Sequence, residues 1–480
     1  MSFLGVDVGT SSVKVGVLNL NGTWTAKAAV VPGANDALQT GSVDPDQWWT
    51  ATLQALQALA KEISLQDVEA VAAIGNTPTL ILVDKAGRAV YPALLWSDTR
   101  ADREASELRE ERSQSEWNAI YGGYIPVSAA YPSAKLRWLS RHQPQALSRT
   151  VKILQPKDFV NYHLTGVMAS DRWSSKGLVS LNISDGAAPL EAIGLDPTLA
   201  PACYRPIDVI GEVTAAAAER TGLRRGIPVM AGWSDTLGAV VSLGLGDRDG
   251  FVLSGTSESI GIMTRNRVKS QAVLCAPVWD SGFNIVYGPT STGLSTINWA
   301  GSVLGGSLNQ FENSQALAPD LAIPIFVPFL LGQRSPYWDD TVRGAWLNVG
   351  INTSREQLWD AVHEGVVAAE RDVLEAVVHA TGSVCSQLVV TGGGSRVSRL
   401  NEWRSAIFDC PVFEVGTDPV LGASLLAQWG ARPATMLQGA KGVSRWKLHP
   451  RNFVAPKRYD AYRQAVNAVL SYTTEVTARD

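Results

Sequence analysis

At the start of the chain, apolar and polar positions describe two short strands folded about a polar turn. Phe3-Leu4-Gly5-Val6 and Val13-Lys14-Val15-Gly16-Val17-Leu18 flank Asp7-Val8-Gly9-Thr10-Ser11-Ser12, a β-hairpin pattern. An Asn21-Gly22 step marks the next turn, and Trp24 to Val31 reads as a third strand. Asp44-Pro45-Asp46 opens a helix with proline in its first turn and an apolar stripe at Leu53, Leu56 and Leu59. Val68 to Ile74 is a buried-strand run ending in the loop Gly75 to Thr79. Leu80 to Val83 is another strand, and Val90 to Trp96 leads into Ser97-Asp98-Thr99-Arg100. A β-meander followed by alternating helices and strands predicts an α/β fold.

The later pattern repeats the first. Helices are expected around Ala134 to Leu139 and from Pro156 to Leu164, and Ile227 to Ala231 is a short buried strand running into Gly232-Trp233-Ser234-Asp235-Thr236. Phe251 to Ile262 is again apolar strand, Gly-Thr-Ser turn, apolar strand, with Gly255-Thr256-Ser257 matching Gly9-Thr10-Ser11. This echo suggests two similar domains. The turn-rich stretch Gly244 to Gly250 divides them into residues 1–245 and 246–480. In the second, Pro324 to Leu331 is expected as a strand and Arg355 to Ala380 as a long helix. Gln387 to Val390 is a strand running into Gly392-Gly393-Gly394, with a helix from Arg399. Val412 to Val415 is the next strand, helices follow around Gly422 to Ala427, and the last closes the chain from Pro456.

Composition narrows the function classes. With 480 residues the chain is too long for one ordinary core. A net charge of −4 and a pI near 5.8 give no global attraction to nucleic acid. The four cysteines are far apart and form no CxxC pair, which points to reduced thiols and not to a disulfide framework or zinc site. No signal peptide or membrane-length apolar run is legible, so a soluble cytoplasmic protein is expected. Of the 16 tryptophans, Trp96, Trp173, Trp233 and Trp338 sit in polar, Gly-rich surroundings where an indole could wall a pocket, although core filling explains most tryptophans.

The polar turns carry the candidate chemistry. Gly9 allows close backbone approach, Thr10 and Ser11 offer donors, Lys14 adds a point charge, and Asp7 could position hydrated Mg²⁺ against phosphate. Gly255 and Thr256 repeat that grip. Gly393 and Gly394, between strand and helix, suit phosphate or a flat adenine lying on backbone. GxGxxG and GxxxxGK[ST] are both absent, which argues against the dinucleotide fold and the common NTPase loop. Asp235 is either a general base for phosphoryl transfer or simply the cap of the helix it begins.

Taken together, these segments resemble the FGGY carbohydrate kinases of the actin/hexokinase-like superfamily, most closely the pentulose (xylulose) kinase branch. Asp7 to Ser11 with Lys14 resembles the first phosphate motif. Tyr131-Pro132-Ser133-Ala134-Lys135-Leu136-Arg137-Trp138-Leu139 is similar to the first family signature. Gly344 to Ile351 with Leu358 to Gly365 approximates the second. Leu94 to Arg100 is similar to the segment near the sugar, and Gly332 to Pro336 to the Gly-x-Arg-[Ser/Thr]-Pro motif. The resemblance implies two ribonuclease-H-like domains around an interdomain cleft and ATP-dependent phosphorylation of a terminal hydroxyl. It makes Asp235 the base, with ATP at Thr10, Ser11, Lys14, Gly255, Thr256, Gly393 and Gly394, Mg²⁺ at Asp7, and Gly422 and Ala423 near the adenosine. The small-molecule sugar or polyol would meet Thr77, Pro78, Thr79, Trp96, Asp98 and Asp235. A ketopentose is the expected substrate, with a tetrulose, an alditol or a non-catalytic sensor role as alternatives, and a homodimer as the family's habit. Where bacterial xylulose kinases carry Gln-Met-His-Gly, this chain has Asn76-Thr77-Pro78-Thr79, which presents a different set of hydrogen bonds to the sugar.

Overall fold

The opening hairpin forms where its pattern places it. In the computed structural model, β1 (Ser2–Val8) and β2 (Val13–Asn19) pair antiparallel with Asp7 opposite Lys14, and β3 (Trp24–Val30) continues the meander. The structure describes residues 1–33, 40–268, 270–278, 282–305, 324–416, 418–438, 447–449 and 456–477. The apolar run after Leu65 is β4 (Val68–Gly75), almost wholly buried and parallel to β1. β5 (Val209–Glu212) was not legible, because only Ile210 of its four residues is buried. It pairs antiparallel with β6 (Pro228–Ser234), which runs parallel to β4. The sheet order is β5-β6-β4-β1-β2-β3. Helix Asp46–Leu59 buries Trp48, Trp49, Leu56 and Leu59, and packs on β2 and β3.

β6 does not run straight. Its register against β4 shifts between Met230 and Trp233, and Gly232 sits there with φ +73°. A side chain at that glycine would meet Ala73 O at 1.7 Å, so the bulge requires glycine. The backbone oxygens around the bulge find buried donors on helix Pro156–Thr165. Lys157 Nζ donates to Ala231 O at 3.0 Å, and Asn161 Nδ2 to Met230 O and Ala231 O at 3.2 and 3.1 Å. The Lys157 charge is balanced by Asp158 at 2.5 Å and Asp171 at 3.0 Å.

In the second unit, β7 (Asp249–Ser254), β8 (Glu258–Thr264), β9 (Leu274–Val278) and β10 (Phe283–Pro289) form a meander. β11 (Gln387–Thr391), β12 (Val412–Glu414) and β13 (Lys447–His449) complete the order β9-β10-β8-β7-β11-β12-β13. The five strands β10-β8-β7-β11-β12 repeat the pairing of β3-β2-β1-β4-β6: two antiparallel steps, then two parallel ones. The Gly-Thr-Ser echo is therefore a repeat of fold as well as of sequence. Helix Arg355–Thr381 is closed by a Ser354–Gln357 capping box and by Gly382, and buries Val362, Val366, Val373 and Val377 as the periodicity predicts. The expected strand Pro324 to Leu331 reduces to Ile325–Val327, because Pro328 has no amide to donate. No helix among the described residues is long and apolar enough to cross a membrane.

Contacts divide the chain at Gly244, next to the expected boundary, but one segment corrects the two-way split. From Asp418, helix Pro419–Ala431 groups with residues 1–244, packing on β1, β4 and helix Asp235–Ser242, although the expected second domain was 246–480. Its small residues explain the return. A side chain at Gly422 would stand 2.0 Å from Gly238 O, so the two helices touch through backbone. Gly422 and Ala423 are buried in this packing.

The β7–β8 turn is held from inside. Glu258 is buried, accepts from Ser254 Oγ, and shares the Arg404 guanidinium with Glu370 (Nη2–Oε1 distances 3.3 and 2.6 Å). Arg404 also donates to Asn401 Oδ1 at 2.9 Å and to Gly394 O at 3.3 Å. Two carboxylates compete for one cation. Burial and Glu370 together push the Glu258 carboxyl well above its ordinary range.

Three outcomes test these contacts. Gly422→Ala forces apart the helix that carries Asp235, and should destabilise by about 1–3 kcal/mol in a thermal or urea melt; an unchanged melt refutes the backbone contact. Folded Glu258 keeps its proton to higher pH than the unfolded residue, so folding binds protons and stability falls as pH rises above the ordinary glutamate range. Glu258→Gln should flatten that fall in melts from pH 5 to pH 9, while Arg404→Met, which strands both carboxylates, should cost about 3–5 kcal/mol.

Candidate active site

The bulged strand β6 ends in Ser234, whose hydroxyl accepts from Leu237 N at 3.4 Å and so caps the helix. Asp235 is therefore the first helical residue, not the cap. Its Oδ1 accepts from Thr236 N at 2.6 Å and Thr236 Oγ1 at 3.3 Å, and no hydrogen bond among the described residues engages Oδ2. Burial lifts the carboxyl to about 6 against the pull of the Thr236 hydrogen bonds and of Lys176.

Asp7, at the end of β1, is 6% exposed and lies 3.8 Å from Lys14 Nζ. Burial raises it to about 7; Lys14 opposes the rise, and Asp235 and Asp418 add to it. The turn beyond is braced by Gly9 N donating to Ser12 O at 3.1 Å and by the Trp48 indole donating to Gly9 O at 3.0 Å. Thr10 is half-buried and Ser11 exposed. Asp7, Lys14 and Asp235 thus interact in one region of the first unit.

The loop after β4 is built on Asn76. Its backbone and side-chain amides both donate to Val8 O, at 3.2 and 3.1 Å, which ties the loop to the end of β1. Thr79 is fully buried; its hydroxyl donates to Asn76 Oδ1 at 2.6 Å and its amide to Gln155 Oε1 at 2.9 Å. It shapes the loop and offers no surface to a ligand, which corrects its expected place as a sugar contact. Pro78 is buried as well, joined to Thr77 by a cis peptide, and Thr77 alone of the three is half-buried. Trp96 is half-buried. Asp98 is buried, and both its oxygens accept from Arg100 Nε, at 2.9 and 2.8 Å. No hydrogen bond or ion pair among the described residues links Asp98 to Asp235.

In the second unit Gly255 is half-buried and Thr256 exposed, and their carbonyls accept from Leu294 N at 2.8 Å and Ser295 N at 3.1 Å. Gly393 is exposed, whereas Gly394 is buried against Ser254. Four contributors escaped the sequence reading: Trp48, Gln155, Lys157 and Lys176. Each acts across a long stretch of chain, and nothing in its neighbours marks it. Trp233 and Trp173 are buried, as core filling predicts.

Comparison with known proteins identifies the family and the fold. Residues 2–242 match the N-terminal domain of the FGGY family of carbohydrate kinases, and residues 250–431 its C-terminal domain. A xylulose kinase of Escherichia coli (strain K12) is 29% identical over 481 residues, covering 96% of each chain. Among solved structures, a xylulose kinase from Rhodospirillum rubrum superposes with TM-score 0.84 at 22% identity over 100% of this chain and 99% of that one. A Plasmodium falciparum glycerol kinase with ADP gives 0.83 at 17% identity over 98% of both chains. Identities this low establish the shared fold. The chain belongs to the FGGY family of carbohydrate kinases, and its activity is ATP-dependent phosphorylation of a sugar.

Proposed function

We propose that the sugar is a ketopentose of the xylulose or ribulose kind, and that Asp235 takes the proton from its terminal hydroxyl as that oxygen attacks the terminal phosphate of ATP. The observation that carries this reading is the division of labour at the end of β6. Ser234 caps the helix and Thr236 engages only Oδ1, which leaves Oδ2 of Asp235 available, and a group held at about 6 is ionised at neutral pH yet basic enough to accept a proton in the transition state. The E. coli xylulose kinase, matching nearly the whole chain, supports the sugar class. Thr77 and Trp96 are the half-buried residues proposed to touch the sugar, while Pro78, Thr79 and Asp98 set the shape around it.

For the nucleotide, Thr10, Ser11 and Lys14 are proposed to meet its phosphates in the first unit, as are Gly255 and Thr256 in the second. Gly393 and Gly394 would support the adenosine. The residues present also fit Mg²⁺. Asp7 is an oxygen ligand with carboxylates nearby, and Lys14 is the only cation paired with it among the described residues. No group of three His, Cys, Asp or Glu side chains able to cage a metal occurs among the described residues, which suits an ion held by one carboxylate together with phosphate oxygens. When bound, the ion offsets charge on the phosphoryl oxygens.

ADP release measured on ketopentoses, tetruloses, alditols and glycerol tests the substrate class. Asp235→Asn should lower kcat by about 10²–10⁴-fold with a stable fold. Activity near the wild-type rate would remove Asp235 from the chemistry. In the wild type, kcat/KM should fall as pH drops from about 7 through about 6, as Asp7 and then Asp235 take up protons; a flat acid limb would refute the assignment.

A further inference from the structure

Lys176 has been given no contact with the sugar or the nucleotide above. It is 4% exposed, and its ammonium meets the loop that departs from the xylulose kinase pattern. Nζ donates to Thr77 Oγ1 at 3.4 Å and to Trp173 O at 3.3 Å, and stands 5.4 Å from the centre of the Trp173 ring. The carboxylates that act on it, Asp171 and Asp235, do so from beyond ion-pair distance. Asp171 is paired with Lys157, and Asp235 with Thr236. An ammonium has three donors, and burying one is costly unless each finds an acceptor. Two long hydrogen bonds leave one donor to place. The nearby Ser174 hydroxyl is also buried with no hydrogen-bond partner among the described residues, so the segment has polar capacity to spare.

We propose that Lys176 is a specificity-determining residue whose remaining donor binds an acceptor-only oxygen of the substrate, the keto oxygen of a ketose or a carboxylate oxygen of the matching sugar acid, in preference to the hydroxyl of a polyol. A keto or carboxylate oxygen accepts and demands nothing in return. A hydroxyl can accept as well, but it must also place a proton of its own, and Thr77 Oγ1 and Trp173 O beside Nζ each already take one hydrogen bond. A site with such a donor discriminates strongly, because the analogue that fails to accept leaves it stranded. Thr77 ties Lys176 to the loop after β4, and the charge of Asp235 reaches it, so the selected oxygen belongs to the molecule whose terminal hydroxyl Asp235 deprotonates. The inference rests on that reading of the site.

The test compares D-xylulose and D-ribulose with the pentitols made by reducing their carbonyl (xylitol, ribitol and D-arabinitol) and with D-xylonate and D-ribonate. ADP release is followed with ATP and Mg²⁺ on the full chain, as wild type, Lys176→Met and Lys176→Arg. Wild-type kcat/KM on the better ketopentose or pentonate should exceed that on the pentitols by about 10- to 100-fold. Lys176→Met should collapse the ratio to within about threefold, chiefly through KM, and Lys176→Arg should restore part of it. Preference for the ketose assigns the keto oxygen, and preference for the acid assigns the carboxylate. A ratio near one in the wild type, or one that survives Lys176→Met, overturns the inference while the kinase assignment stands. ADP release from none of these sugars overturns the proposed substrate and this inference together. Should Lys176→Met fail to fold, the wild type still decides. Its melting temperature should rise more with saturating ketopentose or pentonate than with pentitol, and equal shifts overturn the proposal.

Discussion

The ammonium of Lys157 holds together the part of the first unit on which the chemistry depends. β6 has to break register at Gly232 to bring Asp235 to the head of a helix, and a bulged strand leaves backbone oxygens without ladder partners. In a buried sheet those oxygens need donors, and Lys157 with Asn161 supplies them. The lysine is itself tolerable only because Asp158 and Asp171 surround it. Asp171 begins the segment that carries Lys176, so the charge that stabilises the bulge and the charge beside Asp235 belong to one chain of dependence.

The two sheets show how one arrangement serves different chemistry. In each, a hairpin stands beside a parallel strand that ends in a loop. In the first unit that loop is Asn76 to Thr79, drawn onto β1 by Asn76. In the second it is the glycine run after β11, drawn onto the hairpin by Arg404 through Gly394 O. The hairpin turns are braced differently as well: an indole from a neighbouring helix holds the first, and a buried carboxylate–guanidinium cluster the second. Glu258 is turned inward and spends itself on that cluster.

Much of this was legible in the residue pattern. Period-two and fully apolar runs marked β1, β2, β3, β4, β7 and β8, and the repeated Gly-Thr-Ser marked the relation between the halves. The long helix from Arg355 showed itself by apolar periodicity and its end by Gly382. What stayed hidden depends on distant partners. β5 buries one residue and has no period to read. Thr79 looked like a presented hydroxyl, but Gln155 and Asn76 take it into the core. The return of helix Pro419–Ala431 to the first unit shows in its small residues only once Gly238 is known to face Gly422.

That return has a consequence for how the polypeptide comes into being. The first unit lacks the helix that covers β1 and β4 until synthesis has passed Ala431, long after its six-stranded sheet has left the ribosome. Until then the faces of Gly5 and Gly238, shaped to receive backbone, have no partner. A chain cut at the apparent boundary near Gly244 would carry that gap permanently. The order of the elements thus makes assembly of the half that holds Asp235 wait for nearly the whole chain.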